Sequence, residues 1–213
     1  MSNAGFGLMT DFFGMASQYM KLISSDSGKF HRRQQVSHYG PYEALDVGPA
    51  LLNPVCVYEV IKDTAVAFTL GKAWAAGYFL TSVAILTQPG HFPQVTLSGT
   101  ANEGVDAINK WNVSVNVVAR ARAQNLLNAL TDATRLQSVR LMAKCDPVVI
   151  YEDNEPSASD VVHGKLVLEA TAVSGDGAAT LAVANNNWTV VGLPVVGGGT
   201  DYSSVTLTAE RSL

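Results

Sequence analysis

The chain has 213 residues, of which 47% are hydrophobic and only 15% are charged, and its formal net charge is -4. A charged fraction well below the usual quarter leaves a monomer with little polar surface, so we expect part of the surface to be buried against other subunits. The acidic balance and the small size of the largest basic cluster, at residues 31–33, argue against a dedicated nucleic-acid binder.

The first predicted element is an amphipathic helix over residues 6–23, where apolar residues recur at three- and four-residue steps. Turn-forming residues at 24–28 end it, and a polar segment without periodicity follows. We expect residues 1–53 to form an arm that docks on its own domain or on a neighbouring subunit. The contact residues predicted on this arm are Phe6, Met9, Phe12, Phe13 and Met20.

Two further features concern the compartment. The first residues lack the positive start and unbroken apolar core of a secretory signal, which predicts a chain made and kept in the cytoplasm before assembly. The most apolar segment, residues 73–86, is shorter than the roughly twenty residues needed to cross a bilayer. We therefore expect it to lie in the core, and we expect no membrane anchor.

From Pro54 onward the pattern changes to short β-branched and aromatic runs, which predict strands at 55–61, 65–70 and 78–86. Strict alternation then predicts two paired strands, at 95–98 and 112–117, each with one polar face. The segment between them, from Gly99 to Lys110, is longer than a tight hairpin turn and predicts a protruding loop. The loop residues expected to contact a neighbour are Gly99, Asn102, Glu103, Gly104, Asp106 and Asn109.

A run of good helix formers at 120–130 predicts one central helix, and residues 152–160 predict an acidic loop. Further strands are predicted at 138–143, 147–151, 161–173, 179–184, 188–191 and 205–209. These elements together predict a mainly β fold of the α+β type. We expect a β-sandwich or barrel over residues 54–213, with one central helix and the N-terminal helical arm.

The sequence offers little for catalysis. It has no nucleophile elbow and no phosphate-binding loop, and its four histidines do not stand at metal-binding spacing. The carboxylates of Glu152, Asp153 and Glu155 are typical of a solvated loop. Cys56 and Cys145 are either two buried thiols or a disulfide. We therefore predict a protein that is not an enzyme and that holds no cofactor and no metal.

The low charge, the ordered arm and the segment 93–118, with Val-Thr-Leu-Ser-Gly-Thr before the loop and Val-Ser-Val-Asn-Val after it, resemble virion structural proteins of tailed bacteriophages. In particular, the pattern is similar to the tail-tube family. The resemblance implies a homo-oligomer of stacked rings or a tube, stitched by a long loop and the chain termini. It implies other virion tail proteins as partners, DNA only as passing cargo, and assembly in the cytoplasm of a bacterial host.

Three alternatives remain open from sequence. The helix predicted at 6–23 departs from the simplest tube subunits, which keeps phage neck, adaptor and baseplate proteins among the possibilities. A β-sandwich that binds a glycan or peptide through Trp74, Trp111 or Trp188 is the second. The third is an enzyme whose pocket gathers distant residues such as His91 and Asp146.

Overall fold

The computed structural model describes residues 9–28, 30–35, 45–74, 77–102, 107–120, 122–133, 135–153, 155–174, 181–184, 187–192, 195–197 and 203–213. Within these ranges the chain is mainly β-structure, and all the strand pairs are antiparallel, so the prediction of a mainly β fold is confirmed. In the part of the chain so described, no helix is long and apolar enough to cross a membrane.

The strands are β1 (Met20–Asp26), β2 (Phe30–Gln35), β3 (Leu45–Leu51), β4 (Val55–Val60), β5 (Thr64–Leu70), β6 (Ala73–Trp74), β7 (Tyr78–Thr87), β8 (Gln94–Ala101), β9 (Trp111–Val117), β10 (Leu130–Ala133), β11 (Leu136–Glu152), β12 (Glu155–Ser174), β13 (Leu181–Val183), β14 (Thr189–Gly192), β15 (Val195–Gly197) and β16 (Ser203–Ser212). A ten-stranded sheet has the order β1-β4-β8-β7-β11-β12-β16-β14, with β6 beside β7 and β15 beside β16. Three two-stranded sheets, β2-β3, β5-β9 and β10-β13, complete the structure.

One face of the ten-stranded sheet is the core. Alternate residues on each central strand are buried, because the side chains of a strand point to opposite faces in turn. The buried residues on β4, β8, β7 and β11 include Cys56, Tyr58, Val95, Leu97, Val83, Ile85, Val139 and Leu141. The β5-β9 pair adds Val66, Phe68, Val113 and Val115 to the same apolar cluster. The two sheets therefore share one core.

The other face of the ten-stranded sheet is polar. Gln94, Thr96 and Ser98 of β8 lie there, and ion pairs cross between neighbouring strands. Arg140 on β11 pairs with Glu169 on β12 at 3.5 Å, and Lys165 on β12 pairs with Glu210 on β16 at 2.9 Å. The prediction that the strand at 95–98 has one polar face is confirmed.

The strands that flank the predicted loop do not pair with each other. β8 pairs with β4 and β7 in the large sheet, whereas β9 pairs only with β5. The prediction of a loop between paired strands is therefore wrong. Residues 102–110 instead connect one sheet to the other, and Gly99 lies inside β8.

The predicted N-terminal helix is also wrong for the described residues. Residues 9–19 form no helix, and β1 starts at Met20. The chain turns at Gly14, which has a φ of 62°, and the Asp11 carboxylate accepts hydrogen bonds from the backbone N–H groups of Met15 and Ala16 at 3.4 and 2.8 Å. These side-chain bonds satisfy donors that a helix would otherwise satisfy with backbone carbonyls.

A 3-10 turn at Leu126–Asn128 takes the place of the predicted central helix. Two side chains hold the backbone in a non-helical path: Gln124 bonds both the N–H and the carbonyl of Val118, and Asn125 bonds both the N–H and the carbonyl of Leu130. Leu127 has a φ of 56°, which a right-handed helix does not allow. The helix-forming composition is thus overridden by local side-chain bonds.

β11 and β12 form one long hairpin. The two strands predicted at 138–143 and 147–151 are a single strand, with a register irregularity between Lys144 and Asp146. The acidic loop predicted at 152–160 is wrong, because β12 already begins at Glu155 and Glu152 is its partner across the turn.

Candidate assembly surfaces

The outer part of the β11-β12 hairpin leaves the large sheet. Pairing with β7 spans residues 139–144 of β11, and pairing with β16 spans residues 165–174 of β12. We call residues 146–162 the outer hairpin; its two strands pair with each other from Asp146 opposite Val162 to Glu152 opposite Glu155. Six residue steps at about 3.4 Å make it about 20 Å long.

The tip of the outer hairpin exposes apolar side chains. Ile150 and Tyr151 are 51% and 47% exposed, and Val148, two residues closer to the base, is 39% exposed. Next to them, Glu152 and Asp153 are exposed as well. Apolar side chains clustered on a projecting element are typical of a surface that is covered in an assembly. The tip therefore combines an apolar patch with two carboxylates.

The base of the outer hairpin is braced by the chain that leads into β9. The Asn109 backbone N–H and its side-chain amide each donate to the Asp160 carboxylate at 2.8 Å. Ala107 forms a bridge with Ser159, and both are buried. Trp111 covers Gly164 so closely that a Cβ there would lie 2.7 Å from the indole ring. These contacts fix the direction in which the hairpin projects.

The predicted loop residues are thus placed differently from one another. Gly99 and Asn102 are buried, so they offer no surface to a neighbour. Asn109 is exposed but bonded to the hairpin, as described above. Glu103, Gly104 and Asp106 lie outside the described residues. Ile108, which the sequence did not single out, is 73% exposed beside the hairpin base.

A pocket of about 390 Å³ opens beside the β5-β9 pair. We call it the Trp74 pocket. Its lining is mainly apolar, with Lys72, Thr69, Asn112 and Ser114 as the polar members; the apolar members are Phe13, Met15, Ala67, Phe68, Trp74, Leu80, Leu97 and Val113.

Trp74 forms part of the wall of this pocket. Its indole lies 6.3 Å from the Tyr78 ring at an interplanar angle of 12°, and the Lys72 ammonium lies 4.3 Å from the indole centroid. Among the described residues, Trp74 Nε1 is a buried donor without a hydrogen-bond partner. An unsatisfied buried donor is costly, but this atom is covered by protein, so it sets no requirement for an occupant of the pocket.

The predicted arm residues divide by their contacts with the core. Phe13 and Met20 are buried, and Phe12 is half-buried against the same cluster. Met9 is exposed, and Phe6 lies outside the described residues. Residues 9–28 therefore share the core and the large sheet with the chain that follows them.

Two tyrosines tie this segment to the sheet. The Tyr58 hydroxyl donates to the Asp11 carboxylate, and the Tyr78 hydroxyl donates to the Phe12 carbonyl. Burial alone would raise the pKa of Asp11, but the bonds from Tyr58 and from the backbone of Ala16 and Met15 outweigh it and lower the pKa below 3.8. Burial also raises the pKa of Tyr78 to about 12, so both hydroxyls stay protonated donors at neutral pH.

Asp11→Asn is expected to lower the free energy of unfolding by about 1 kcal/mol at pH 7, because it weakens hydrogen bonds to a charged acceptor. Since the folded-state pKa lies below the unfolded one, the ionised carboxylate stabilises the fold above pH 3.8 and loses this effect as the pH falls. The difference between the variant and the wild type should therefore shrink between pH 5 and pH 3 in urea denaturation. Glu152→Gln, at an exposed carboxylate, is the control for the loss of one negative charge at pH 7.

The groups considered for chemistry are scattered. Cys56 on β4 and Cys145 on β11 are buried free thiols, and two strands separate them, so they are too far apart for a disulfide. Burial raises the pKa of Cys145 to about 11.

The described residues contain no group of three or more metal-ligating side chains. Asp146 pairs with His163 at 3.2 Å on the surface, whereas His91 lies in a shallow depression with Phe92 and Arg120.

The other two tryptophans are half-buried. Trp111 lies over Gly164, and Trp188 has the Arg211 guanidinium 5.2 Å from its ring centroid. Both indoles therefore pack against other parts of the chain. Trp74 differs from both because it lines a pocket.

No protein-family model matches the chain, and no curated protein matches it. The outer hairpin and the Trp74 pocket are therefore the features from which a function is inferred. Sequence reasoning missed the hairpin, and it named Trp74 without the pocket around it. The hairpin had one local signal, the two turn-forming residues Asp153 and Asn154 after the run Val148-Val149-Ile150-Tyr151.

Proposed function

We propose that the protein is a non-enzymatic, self-assembling structural subunit of a tailed-phage virion, which builds stacked rings or a tube in the tail. The observation that carries the proposal is the outer hairpin, about 20 Å long at 3.4 Å per residue, whose tip exposes Ile150 and Tyr151. Burial of such a tip against a neighbour requires no titratable group. A neck, adaptor or baseplate subunit is the alternative within the same virion, and it would use the same contacts.

The low charge supports an assembled state. With 15% charged residues, the surface of a lone chain is poor in the groups that keep monomers apart. A hairpin tip that contacts a different surface on the next copy gives a head-to-tail interface, which closes into a ring or continues as a helix. Repetition of one such contact is enough to build a tube.

The charges of the large polar sheet face are compatible with DNA as passing cargo. Arg140 and Lys165 are each paired with a glutamate, as described above, so these cations are partly neutralised. Tight DNA binding depends on unpaired Lys and Arg that replace the counterions of the phosphates. A tube lined by this face would therefore let DNA slide rather than hold it.

One observation favours a second function, a module that binds a glycan or peptide. The Trp74 pocket, at about 390 Å³, lies in the size range of ligand sites, roughly 300–1,000 Å³. Thr69, Asn112 and Ser114 on its lining would supply hydrogen-bond partners for sugar hydroxyls. This alternative predicts a monomer or small oligomer that binds carbohydrate without forming rings.

Negative-stain electron microscopy, together with the mass in solution measured by light scattering over a hundredfold range of concentration, tests the proposal. We expect rings or tubes and a mass that rises with concentration. A monodisperse monomer at the highest concentration would contradict self-assembly. In that case a glycan array and a peptide library would test the second function.

A further inference from the structure

We infer that the tip of the outer hairpin of one copy inserts into the Trp74 pocket of the next copy. This inference rests on the proposed self-assembly and names the two surfaces that carry it. The hairpin tip is the donor, formed by Ile150, Tyr151, Glu152 and Asp153. The Trp74 pocket is the acceptor.

The pocket specifies its occupant by two properties. Its apolar lining, which includes Phe13, Leu80 and Leu97, favours an apolar or aromatic body. Among the described residues that line it, Lys72 is the charged one, so the occupant should bring negative charge.

The hairpin tip supplies both properties. Ile150 and Tyr151 are about half exposed and provide an aliphatic and an aromatic side chain. Glu152 and Asp153 are exposed and opposite in charge to Lys72. A charged partner in a partly desolvated pocket strengthens such a contact and selects its orientation.

An insertion of this kind would repeat from one copy to the next, because the donor and the acceptor are different surfaces. The donor is formed by β11 and β12, and the acceptor is formed mainly by residues of β5 to β9. Each subunit that accepts a hairpin still has its own hairpin to donate, so the contact is heterologous. A self-complementary dimer would instead use both surfaces up in one pair.

Cysteine pairing between two variants tests the contact directly. We would mix Glu152→Cys, which leaves Tyr151 in place, with Ser114→Cys at the exposed rim of the pocket, and oxidise the mixture with copper phenanthroline. A disulfide requires Cβ atoms within about 4.5 Å, so a linked dimer reports close approach. We expect that dimer in the mixture and in neither variant alone. Ser82→Cys, on the opposite polar sheet face, is the matched control and should not link to Glu152→Cys.

Charge reversal gives an independent readout. Lys72→Glu should raise the concentration needed for assembly at least tenfold, and adding Glu152→Lys and Asp153→Lys in the same chain should restore it. All these variants are compared with the wild type by thermal melting, since Lys72, Glu152 and Asp153 are exposed and should leave the fold unchanged.

The outcomes separate the inference from the proposed function. Assembly of the wild type without a Glu152→Cys to Ser114→Cys link, or a link to Ser82→Cys of equal yield, overturns the inference and leaves the assembly function standing. A wild type that stays monomeric overturns both. A specific link together with rescue by the reversed charges supports both.

Discussion

Phe13→Ala is expected to lower the free energy of unfolding by about 3–5 kcal/mol, which is the usual cost of removing a buried aromatic side chain. Phe13 is 1% exposed and makes edge-to-face contacts with Trp74 and Tyr78, at centroid distances of 6.0 and 5.5 Å. The substitution removes these contacts and leaves a cavity next to the Trp74 pocket. Urea denaturation followed by tryptophan fluorescence measures the effect.

Two neighbours on the same segment serve as controls for Phe13→Ala. Phe12 is half-buried and touches Tyr78 with a centroid distance of 6.4 Å, so Phe12→Ala should cost less. Met9 is 55% exposed, and Met9→Ala should change the stability by less than about 0.5 kcal/mol. If Phe13→Ala cost no more than Met9→Ala, this segment would not be anchored as described.

Shortening the outer hairpin is expected to abolish assembly while the fold is retained. Val149 and Ser159 are partners in the ladder, so residues 150–158 can be replaced by Asn-Gly, which closes a two-residue turn between them. The bonds between Asn109 and Asp160 at the base stay in place. The variant loses the apolar tip, and under the proposed assembly it should remain a monomer at concentrations where the wild type is expected to form rings or tubes.

A surface variant outside the hairpin separates a specific effect from a general loss of apolar surface. Phe92 is 48% exposed, close to the exposure of Ile150 and Tyr151, and it lies in the turn before β8. Phe92→Ser should assemble as the wild type does. Rings or tubes formed by the shortened variant, with unchanged melting temperature in both, would show that the hairpin tip is dispensable.

The strands could be predicted from the sequence, but their neighbours could not. Alternation at β8 and β9 is a local property, and it predicted both strands and their polar faces. Strand pairing depends on residues that are far apart in the sequence. Val139 of β11 lies opposite Thr87 of β7, and β9 pairs with β5 rather than with β8. Residues 102–110 were therefore predicted to form a hairpin loop, whereas they connect the large sheet to the β5-β9 sheet.

The two predicted helices failed for a common physical reason. Periodic apolar residues show which side chains are buried, and burial against an irregular backbone gives the same spacing as burial on a helix. The side chains of Asp11, Gln124 and Asn125 form hydrogen bonds with nearby backbone groups. Because these bonds compete with helical hydrogen bonds, neither segment forms a helix. Composition and periodicity do not contain that information.

The candidate site was recovered only in part. Asn109 was predicted to touch a neighbour, and in the structure it braces Asp160 of the same chain. The charges at Glu152 and Asp153 suggested a solvated loop, because their position at the end of a hairpin depends on the pairing of β11 with β12. Trp74 was noted for its indole, but its unsatisfied donor becomes apparent only with its burial.

The sheet order has a consequence for the growth of an assembly. The β11-β12 hairpin is local in sequence and can form in about 1–10 μs, whereas the Thr87 and Val139 region closes over 52 residues and belongs to a slower, milliseconds-to-seconds regime. The Trp74 pocket needs β5 to β9 in place, so under the proposed insertion each chain would have a hairpin to insert before it had a pocket to offer. A partly folded subunit would then cap the growing end, and the elongation rate would follow the folding rate of single chains.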